Sequence, residues 1–274
     1  MFAAIAAFSA AATLITVLFN IESIKDNWIY GAIGLFLVCL ASILYACWQT
    51  RSTKKITLNL SSELKLNIEE GDLFTKKGII CIPVNEYFDT HVGDGVIRED
   101  SIHGRFINCY FKDRIDELKA KIDEGLSSLS YEIHKRRLEI CPEKKYSLGT
   151  CVDIRDGENT YVLFALTHFN DNDKANVGRA EYSEVLRMLM KHLSDIAETR
   201  PVFMPLFGTG LSRLKRRPQR ILYHLVDELD FDDVSQLPGG LNIVIKSLSE
   251  MEVNLTMMEY VVNEGITKDD IDCV

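Results

Sequence analysis

The sequence predicts one α/β domain, a layered sheet flanked by helices, behind a two-helix transmembrane hairpin. Short segments rich in Ile, Val and Phe alternate with amphipathic segments after residue 61, and two uncharged apolar runs fill most of the first fifty residues. Strands buried on both faces that alternate with helices are typical of a mainly parallel or mixed sheet. We assign 1–50 to the hairpin, 51–61 to a polar linker, 62–265 to the α/β domain and 266–274 to an acidic tail.

The apolar runs at 2–19 and 28–48 are each long enough to cross a bilayer as a helix. At 1.5 Å per residue they reach about 27 to 31 Å, the thickness of the hydrocarbon core. Basic residues (Arg51, Lys54, Lys55) follow the second run directly, which places the α/β domain and the N-terminus in the cytoplasm. Alternatives stay open: the first run as a signal peptide, and the hairpin as a plain anchor or as a helix pair that oligomerises.

Composition narrows the classes of partner and cofactor. The net charge is −9, and tracking a nucleic-acid backbone draws on a surplus of Lys and Arg, so no nucleic-acid partner is expected. The seven cysteines form no CxxC pair and no Cys/His cluster at zinc spacing, which predicts reduced thiols, no metal and no cofactor.

The predicted strands share a high content of Ile, Val, Phe and Tyr: Lys65 to Ile68, Ile79 to Val84, Cys151 to Ile154, Tyr161 to Thr167, Val202 to Phe207 and Asn242 to Ser247. Apolar residues at helical spacing predict helices over 182–196 and over 221–229, the second beginning near Pro218. We also expect a long charged helix from Lys112 to Glu139.

Four segments follow predicted strands, where ligands of α/β domains bind. They begin at Gly71, Pro83, Val92 and Pro205, and two of them hold closely spaced glycines that let peptide N–H groups approach a diphosphate. The candidate binding residues are Asp72, Leu73, Asn85, Glu86, Tyr87, Asp89, Gly93, Asp94, Gly95, Val96, Phe207, Gly208, Thr209, Gly210 and Leu211.

Each signal also has a purely structural interpretation. Asp72 after a glycine is typical of a turn cap, Asn85 at a strand end can tie down its own turn, and the glycine segments match plain turns. The basic run after Ser212 fits a solvated helix start. His103 and His168 lie near predicted loops without an assignable Asp or Ser partner, so we interpret them as structural, and the charged residues 98–100 as a solvated turn.

Taken in order, Gly71-Asp72, the apolar strand into Asn85, the glycine loop 93–97 followed by 101–104, and the loop 207–211 resemble the ADP-ribose-binding macro domain over about residues 62–248. More narrowly, the strings 82–90, 101–104 and 205–210 behind two apolar runs resemble the macro-domain membrane effectors of bacterial type II Thoeris anti-phage systems.

The resemblance implies a three-layer macro-domain sheet and a receptor in the bacterial cell membrane, not an enzyme. In such systems a partner TIR-domain enzyme makes an ADP-ribose conjugate, histidine-ADP-ribose for this type. The macro domain captures it, and the helices, in a homo-oligomer, compromise the lipid bilayer and end the infection. By position, Asp72 would contact adenine, Asn85 the distal ribose, Gly93 to Val96 the diphosphate, and Gly208 to Leu211 the phosphates from the other side. The general fold implies no contact for the conjugated headgroup, and Glu86, Tyr87 and Asp89 are the candidates nearest to Asn85 in the sequence.

The chain departs from the hydrolytic members of the macro-domain family at two places. Where they have a second Asn and a run of three glycines, this chain has Phe88 and Gly93-Asp94-Gly95. Hydrolysis is therefore not expected. The alternatives are a membrane-tethered ADP-ribosyl hydrolase and a membrane module that binds a protein.

Overall fold

The computed structural model describes residues 34, 36–44, 53–60, 64–135, 138–169, 175–209, 216–230 and 236–263. The chain divides into two compact units, Met1–Ser52 and Thr53–Val274. In the first unit, residues 36–44 are helical. Within the described ranges, no helix combines the length and the apolar character that crossing a bilayer requires. The apolar run 2–19 and most of the run 28–48 lie outside the described residues, so the transmembrane hairpin stays a prediction.

The second unit alternates strands and helices. Strands β1 to β10 are Lys55–Asn59, Leu64–Glu70, Ile79–Asn85, Glu132–Ile133, Lys144–Lys145, Cys151–Asp156, Asn159–Phe169, Ala175–Asn176, Val202–Pro205 and Leu237–Ile245. Helices α1 to α5 are Ile102–Phe106, Ile115–Leu126, Arg179–Ala197, Pro218–Asp230 and Leu255–Asn263. A 3₁₀ turn lies at Leu73–Thr75, and a π-helical segment at Ile107–Phe111 continues α1.

The main sheet has the strand order β1-β2-β10-β9-β3-β7-β6, with β8 paired to the end of β7. Its five central strands, from β2 to β7 in that order, are parallel, whereas β1 and β6 add antiparallel edges. Since parallel strands end on the same side, the last residues of β3, β7 and β9 meet at one edge of the sheet.

Both faces of the sheet are covered, because successive side chains of a strand point to opposite sides. Ile79 and Cys81 join a core with residues of α3, α4 and α5. Ile80 and Ile82 join a second core with α1, α2 and the π-helical segment. The domain therefore has three layers, and the expected sheet flanked by helices is confirmed.

The predicted helix from Lys112 to Glu139 is wrong in length. Helix α2 ends at Leu126, where the Ser127 hydroxyl donates to the carbonyl of Glu124 at 2.7 Å. Serines compete with the helical backbone by such local hydrogen bonds, and the sequence has three of them between residues 127 and 130. The chain then forms β4 and β5, an antiparallel pair in a small separate sheet.

Strand β1 lies within the segment 51–61, which the sequence predicted as a linker. Ile56 and Leu58 alternate with exposed polar residues and are buried in the core below the sheet. The five-residue strand pairs antiparallel to β2, from Lys55 opposite Glu69 to Asn59 opposite Lys65. The polar residues of this segment therefore form the solvent face of an edge strand.

Candidate functional site

A cleft of about 690 Å³ opens where β3, β7 and β9 end. Cavities of about 300 to 1,000 Å³ are typical of small-molecule sites. Its walls come from the strand ends, from the segment leading into α1 and from the turn after β9. The described lining residues are Pro83, Val84, Asn85, Gly95, Val96, Ile97, Arg98, Asp100, Ser101, Ile102, His103, Leu166, Thr167, Phe169, Ala175, Pro205, Leu206, Phe207, Gly208 and Thr209.

One wall is the glycine turn between residues 93 and 97. Gly93, Asp94 and Gly95 all have positive φ, of 112°, 48° and 80°, a conformation that glycine adopts without steric cost. The amide of Gly93 donates to the carbonyl of Ile97, and the amide of Val96 donates to the carbonyl of Gly93, both at 2.9 Å. These two N–H groups are used inside the turn, so the predicted diphosphate contact cannot come from every amide between Gly93 and Val96.

The same wall continues into α1 through a close backbone approach. The Ser101 side chain accepts from the amide of Gly104 at 3.0 Å and donates to the carbonyl of Arg98 at 2.7 Å. A Cβ at Gly104 would lie 2.1 Å from that carbonyl oxygen, closer than atoms can pack. Gly104 therefore allows the turn 98–101 to fold back on the helix and form the rim of the cleft.

The opposite wall is the turn after β9. Gly208 has a φ of 91°, and the Thr209 hydroxyl donates to the carbonyl of Leu206 at 3.2 Å. Phe207 is buried, with its ring 5.3 Å from that of Phe164 and 5.2 Å from that of Tyr182. An aromatic anchor thus fixes the turn, while its glycine leaves the backbone open toward the cleft.

The end of β3 presents Asn85, of which 4% is exposed. Its amide nitrogen donates to the carboxylate of Asp89 at 2.9 Å, and its amide oxygen accepts from the amide of Tyr87 at 3.0 Å. The side chain therefore ties down its own turn. An amide nitrogen carries two N–H donors, so the second N–H of Asn85 can serve a ligand.

Phe88 lies in the same turn and points away from the cleft. It has a φ of 53°, is 2% exposed and packs edge-on against Tyr146, with 5.9 Å between the ring centroids. The ring belongs to the core under α1 and α2. The position that carries a second Asn in hydrolytic macro domains is thus occupied by a core residue.

Glu86 is fully buried and bridges three parts of the chain. One carboxylate oxygen accepts from the amide of Phe169 at 3.0 Å, and the other lies beside Nδ1 of His168 and 3.5 Å from Nζ of Lys145. Nε2 of His168 in turn lies 3.1 Å from the carboxylate of Glu181 in α3. A buried carboxylate requires such partners, and this network joins the turn after β3 to β5, β7 and α3.

Asp72 caps the 3₁₀ turn and pairs with Arg105 of α1. Its carboxylate accepts from the amide of Phe74 at 3.1 Å and from Arg105 at 2.8 Å. Partial burial raises the pKa of Asp72, but the hydrogen bonds from Phe74 and Arg105 outweigh this and hold the pKa below its usual value. Leu73, next in the chain, is 3% exposed and packs in the core.

His103 lines the cleft, although the sequence predicted a structural role for it. It lies on α1 and is 7% exposed. Burial lowers its pKa to about 3, so the imidazole is neutral at physiological pH. At that pH the formal charges among the described lining residues belong to Arg98 and Asp100, which hydrogen-bond each other through Nε and Oδ1 at 2.8 Å.

The cleft brings together Asn85, Gly95, Val96, Phe207, Gly208 and Thr209 of the predicted residues. Its described lining does not include Asp72, Leu73, Glu86, Tyr87, Asp89, Gly93 or Asp94. Gly210 and Leu211 lie outside the described residues. Sequence reasoning missed Thr167, Phe169 and Ala175, although the end of a predicted strand at Thr167 gave a signal that could have identified the first of them.

Comparisons with known proteins identify the domain that carries this cleft. The model of the family described as "Thoeris protein ThsA, Macro domain" matches residues 66–246. The Thoeris protein ThsA of Bacillus amyloliquefaciens (strain Y2) is 29% identical over 161 residues, which are 58% of this chain and 52% of that protein. The chain thus spans about half the length of this curated relative.

Solved structures share the fold at low sequence identity. An Oceanobacillus iheyensis macrodomain mutant with ADPR has a TM-score of 0.53 at 12% identity, over 76% of this chain and 99% of its own. The same macrodomain with ADP gives 0.52 at 10% identity, over 77% and 97%. With the family match over most of the domain, these findings establish that the chain belongs to the Thoeris ThsA macro-domain family.

Proposed function

We propose that the domain binds an ADP-ribose-type nucleotide in the cleft at the carboxyl ends of β3, β7 and β9, as a receptor in anti-phage defence. One observation carries the proposal: two glycine turns, at Gly95 and Gly208, face a single cleft of about 690 Å³. Peptide N–H groups of such turns are suited to bind phosphates without a surplus of positive side chains. Solved macrodomain structures that share this fold have ADPR or ADP bound.

Calorimetric titration of the fragment 53–274 with ADP-ribose tests this proposal directly. We expect saturable binding of one equivalent of ADP-ribose, and weaker binding of AMP, which lacks the diphosphate. Absence of heat and of thermal stabilisation at ligand concentrations far above the expected Kd would contradict it, because a ligand that binds the folded state stabilises it by mass action.

A matched pair of glycine variants distinguishes a loss of affinity caused by a side chain in the cleft from an effect of backbone strain alone. Gly95→Val places a side chain in the cleft wall at a φ of 80°, whereas Gly157→Val introduces the same kind of strain at a φ of 60° in an open turn between β6 and β7. We expect at least about a tenfold loss of affinity for the first variant, roughly 1.4 kcal/mol, and unchanged affinity for the second.

We propose further that the domain is a receptor without hydrolase activity. The core position of Phe88 supports this, because no second amide side chain enters the cleft from the turn after β3. ADP-ribosylated protein and ADP-ribose 1″-phosphate, incubated with the fragment 53–274, should be recovered intact. Product formation would select the hydrolase instead.

The finer parts of the defence role are also proposals. The signal would be histidine-ADP-ribose from a partner TIR-domain enzyme, and the predicted transmembrane helices would disrupt the bilayer in an oligomer. The family match supports the role in anti-phage defence, and the apolar runs at 2–19 and 28–48 support the predicted helices. The test is dye release from liposomes that contain the full chain: histidine-ADP-ribose should cause release, and the Gly95→Val variant should not respond.

A further inference from the structure

We propose that Asn85, His103 and Thr167 form a floor of the cleft that binds the hydroxyl groups of a sugar. His103 and Thr167 select the terminal ribose of an ADP-ribose-type ligand. All three residues line the cleft and are buried, with 4%, 7% and 7% exposed. The inference rests on the proposed nucleotide function and adds two specificity-determining residues to it.

The floor has hydrogen-bonding groups that the protein itself does not use. Within the described part of the chain, the imidazole of His103 and the hydroxyl of Thr167 form no hydrogen bond and no ion pair. Neither group is sealed off from the cleft. The amide nitrogen of Asn85 gives one N–H to Asp89 and has a second. Buried polar groups of native proteins are nearly always paired, so these open groups indicate a partner that enters the cleft.

An irregularity in the pairing of β3 with β7 brings Thr167 to the floor. Val84 of β3 lies opposite Ala165 of β7. The next residue of β3, Asn85, lies opposite Thr167, so Leu166 is an extra residue of β7. An extra residue of this kind breaks the alternation of side chains and re-aims them, often next to a functional site. Leu166 and Thr167 both line the cleft, although they are consecutive residues of one strand.

The chemistry of the floor fits hydroxyl groups rather than phosphate. Burial lowers the pKa of His103 to about 3, so at physiological pH its neutral imidazole offers one donor and one acceptor. The Thr167 hydroxyl also donates and accepts. A sugar hydroxyl can pair with both kinds of group, whereas an ionised phosphate only accepts and would leave the acceptors of the floor unpaired. The charged side chains of the described lining, Arg98 and Asp100, lie at the rim with 60% and 69% exposed.

The terminal ribose is the part of the ligand that can reach this floor. It is attached to the diphosphate at one position, and its other hydroxyl groups are free. The second ribose lies between adenine and the diphosphate, so it could reach the floor only by drawing the base into the cleft. With the diphosphate at the glycine turns of Gly95 and Gly208, the terminal ribose extends to the strand ends between them.

The test is calorimetric titration of the full chain, in detergent, with ADP-ribose and with ADP, which lacks the terminal ribose. The natural chain should bind ADP-ribose at least about tenfold more tightly than ADP. Thr167→Val and His103→Phe keep a side chain of similar shape and remove its hydrogen-bonding groups. Each variant should lose about fivefold to tenfold in affinity for ADP-ribose and keep the affinity for ADP.

Two further variants distinguish ligand contact from a structural role. Thr160→Val makes the same change at the other end of β7, where the threonine is 5% exposed and its hydroxyl accepts from Arg200 at 2.9 Å. It should lower the melting temperature and keep the preference for ADP-ribose, whereas Thr167→Val should not lower the melting temperature, because its hydroxyl has no partner to lose. His103→Gln restores a donor and an acceptor and should recover most of the affinity that His103→Phe loses.

Unchanged affinity of Thr167→Val and His103→Phe for ADP-ribose would overturn this inference and leave the nucleotide function in place. Equal losses for ADP and ADP-ribose would overturn it as well, because the contacts would then be to another part of the ligand. If the natural chain binds neither nucleotide, the proposed function fails and this inference fails with it.

Discussion

At the scale of single residues, most of the polar groups around the cleft are committed to the protein itself. Asn85 holds its turn, Asp72 caps the 3₁₀ turn and binds Arg105, and Glu86 is enclosed by His168, Lys145 and a backbone amide. A ligand with several phosphate oxygens would therefore be bound mainly by the backbone. Side chains then set the geometry of the turns, and their replacement should act on affinity through that geometry.

His103 gives the domain a defined sensitivity to acid. Its folded pKa of about 3 lies below the ordinary value of about 6.5, so the unfolded chain binds the proton more tightly. The neutral, buried His103 therefore does not lower the free energy of unfolding above pH 6.5. That free energy falls as the pH drops from 6.5 toward 3. We expect His103 to account for about 2 kcal/mol of lost unfolding free energy at pH 5.

Urea titration of the fragment 53–274 at pH 7 and pH 5 measures this difference. The His103→Gln variant should be less sensitive to acid than the natural chain, and His134→Gln, at an exposed position, should behave like the natural chain. Equal acid sensitivity of the natural chain and His103→Gln would show that other groups cause it.

Variants of Asp72 distinguish two roles that the sequence left open for its side chain, capping the 3₁₀ turn and contacting adenine. Asp72→Asn keeps an oxygen that can accept from the amide of Phe74 but loses the charge toward Arg105, whereas Asp72→Ala loses both. If the side chain also contacts adenine, we expect Asp72→Asn to weaken ADP-ribose binding while leaving the melting temperature within about 2 °C of the natural chain. Unchanged affinity would leave Asp72 with the capping role alone.

At the scale of elements, six of the ten described strands were predictable, whereas β1, β4, β5, β8 and the irregular segments were not. Ile79 to Val84 and Val202 to Phe207 are apolar runs that stop at Asn85 and Gly208, so both strands could be located from the sequence, although β9 ends at Pro205 rather than Phe207. The charged stretch after Lys112 begins as a helix, and the serines at 127, 128 and 130 are the sequence signal for its end, which the prediction did not use.

The cleft lining shows the same division. Gly208 was identifiable because it follows a predicted strand, and Gly95 because two closely spaced glycines signal a special backbone conformation. Phe169 and Ala175 were not, because they reach the cleft through the pairing of β7 with β8, which places Phe169 opposite Ala175. The alternation of apolar and polar residues along the sequence does not reveal this pairing, because β8 has only two residues.

The variant Gly104→Ala tests how strongly the stability of the domain depends on the close approach of α1 to the turn at Arg98. In Gly104→Ala the new methyl group would collide with a backbone carbonyl, which should cost about 1 to 3 kcal/mol and lower the melting temperature by several degrees. Gly71→Ala is the control, since its Cβ would meet nothing closer than 3.8 Å. Scanning calorimetry of both variants gives the comparison, and equal melting temperatures would contradict the packing argument.

At the scale of the whole molecule, the two units call for separate experiments. The sequence predicts that residues 1–50 anchor the chain, while the family match places the macro domain within residues 66–246. We expect the full chain to remain with membranes after alkaline carbonate extraction, and the fragment 53–274 to be released. Extraction of both into the supernatant would remove the anchor from the proposal and leave the nucleotide cleft untouched.

The central position of β10 has a consequence during synthesis of the chain. Strand β2 pairs with β10 from Leu64 opposite Leu237 onward, so one edge of β2 waits for a partner that is made about 170 residues later. At ribosomal rates of about 5 to 20 residues per second, this takes roughly 10 to 30 s. In that interval the nascent chain has one unsatisfied edge on β2, whose Leu64, Leu66 and Ile68 are core residues of the finished domain. Chaperone binding near the ribosome should therefore centre on residues 64–70 until translation passes residue 245.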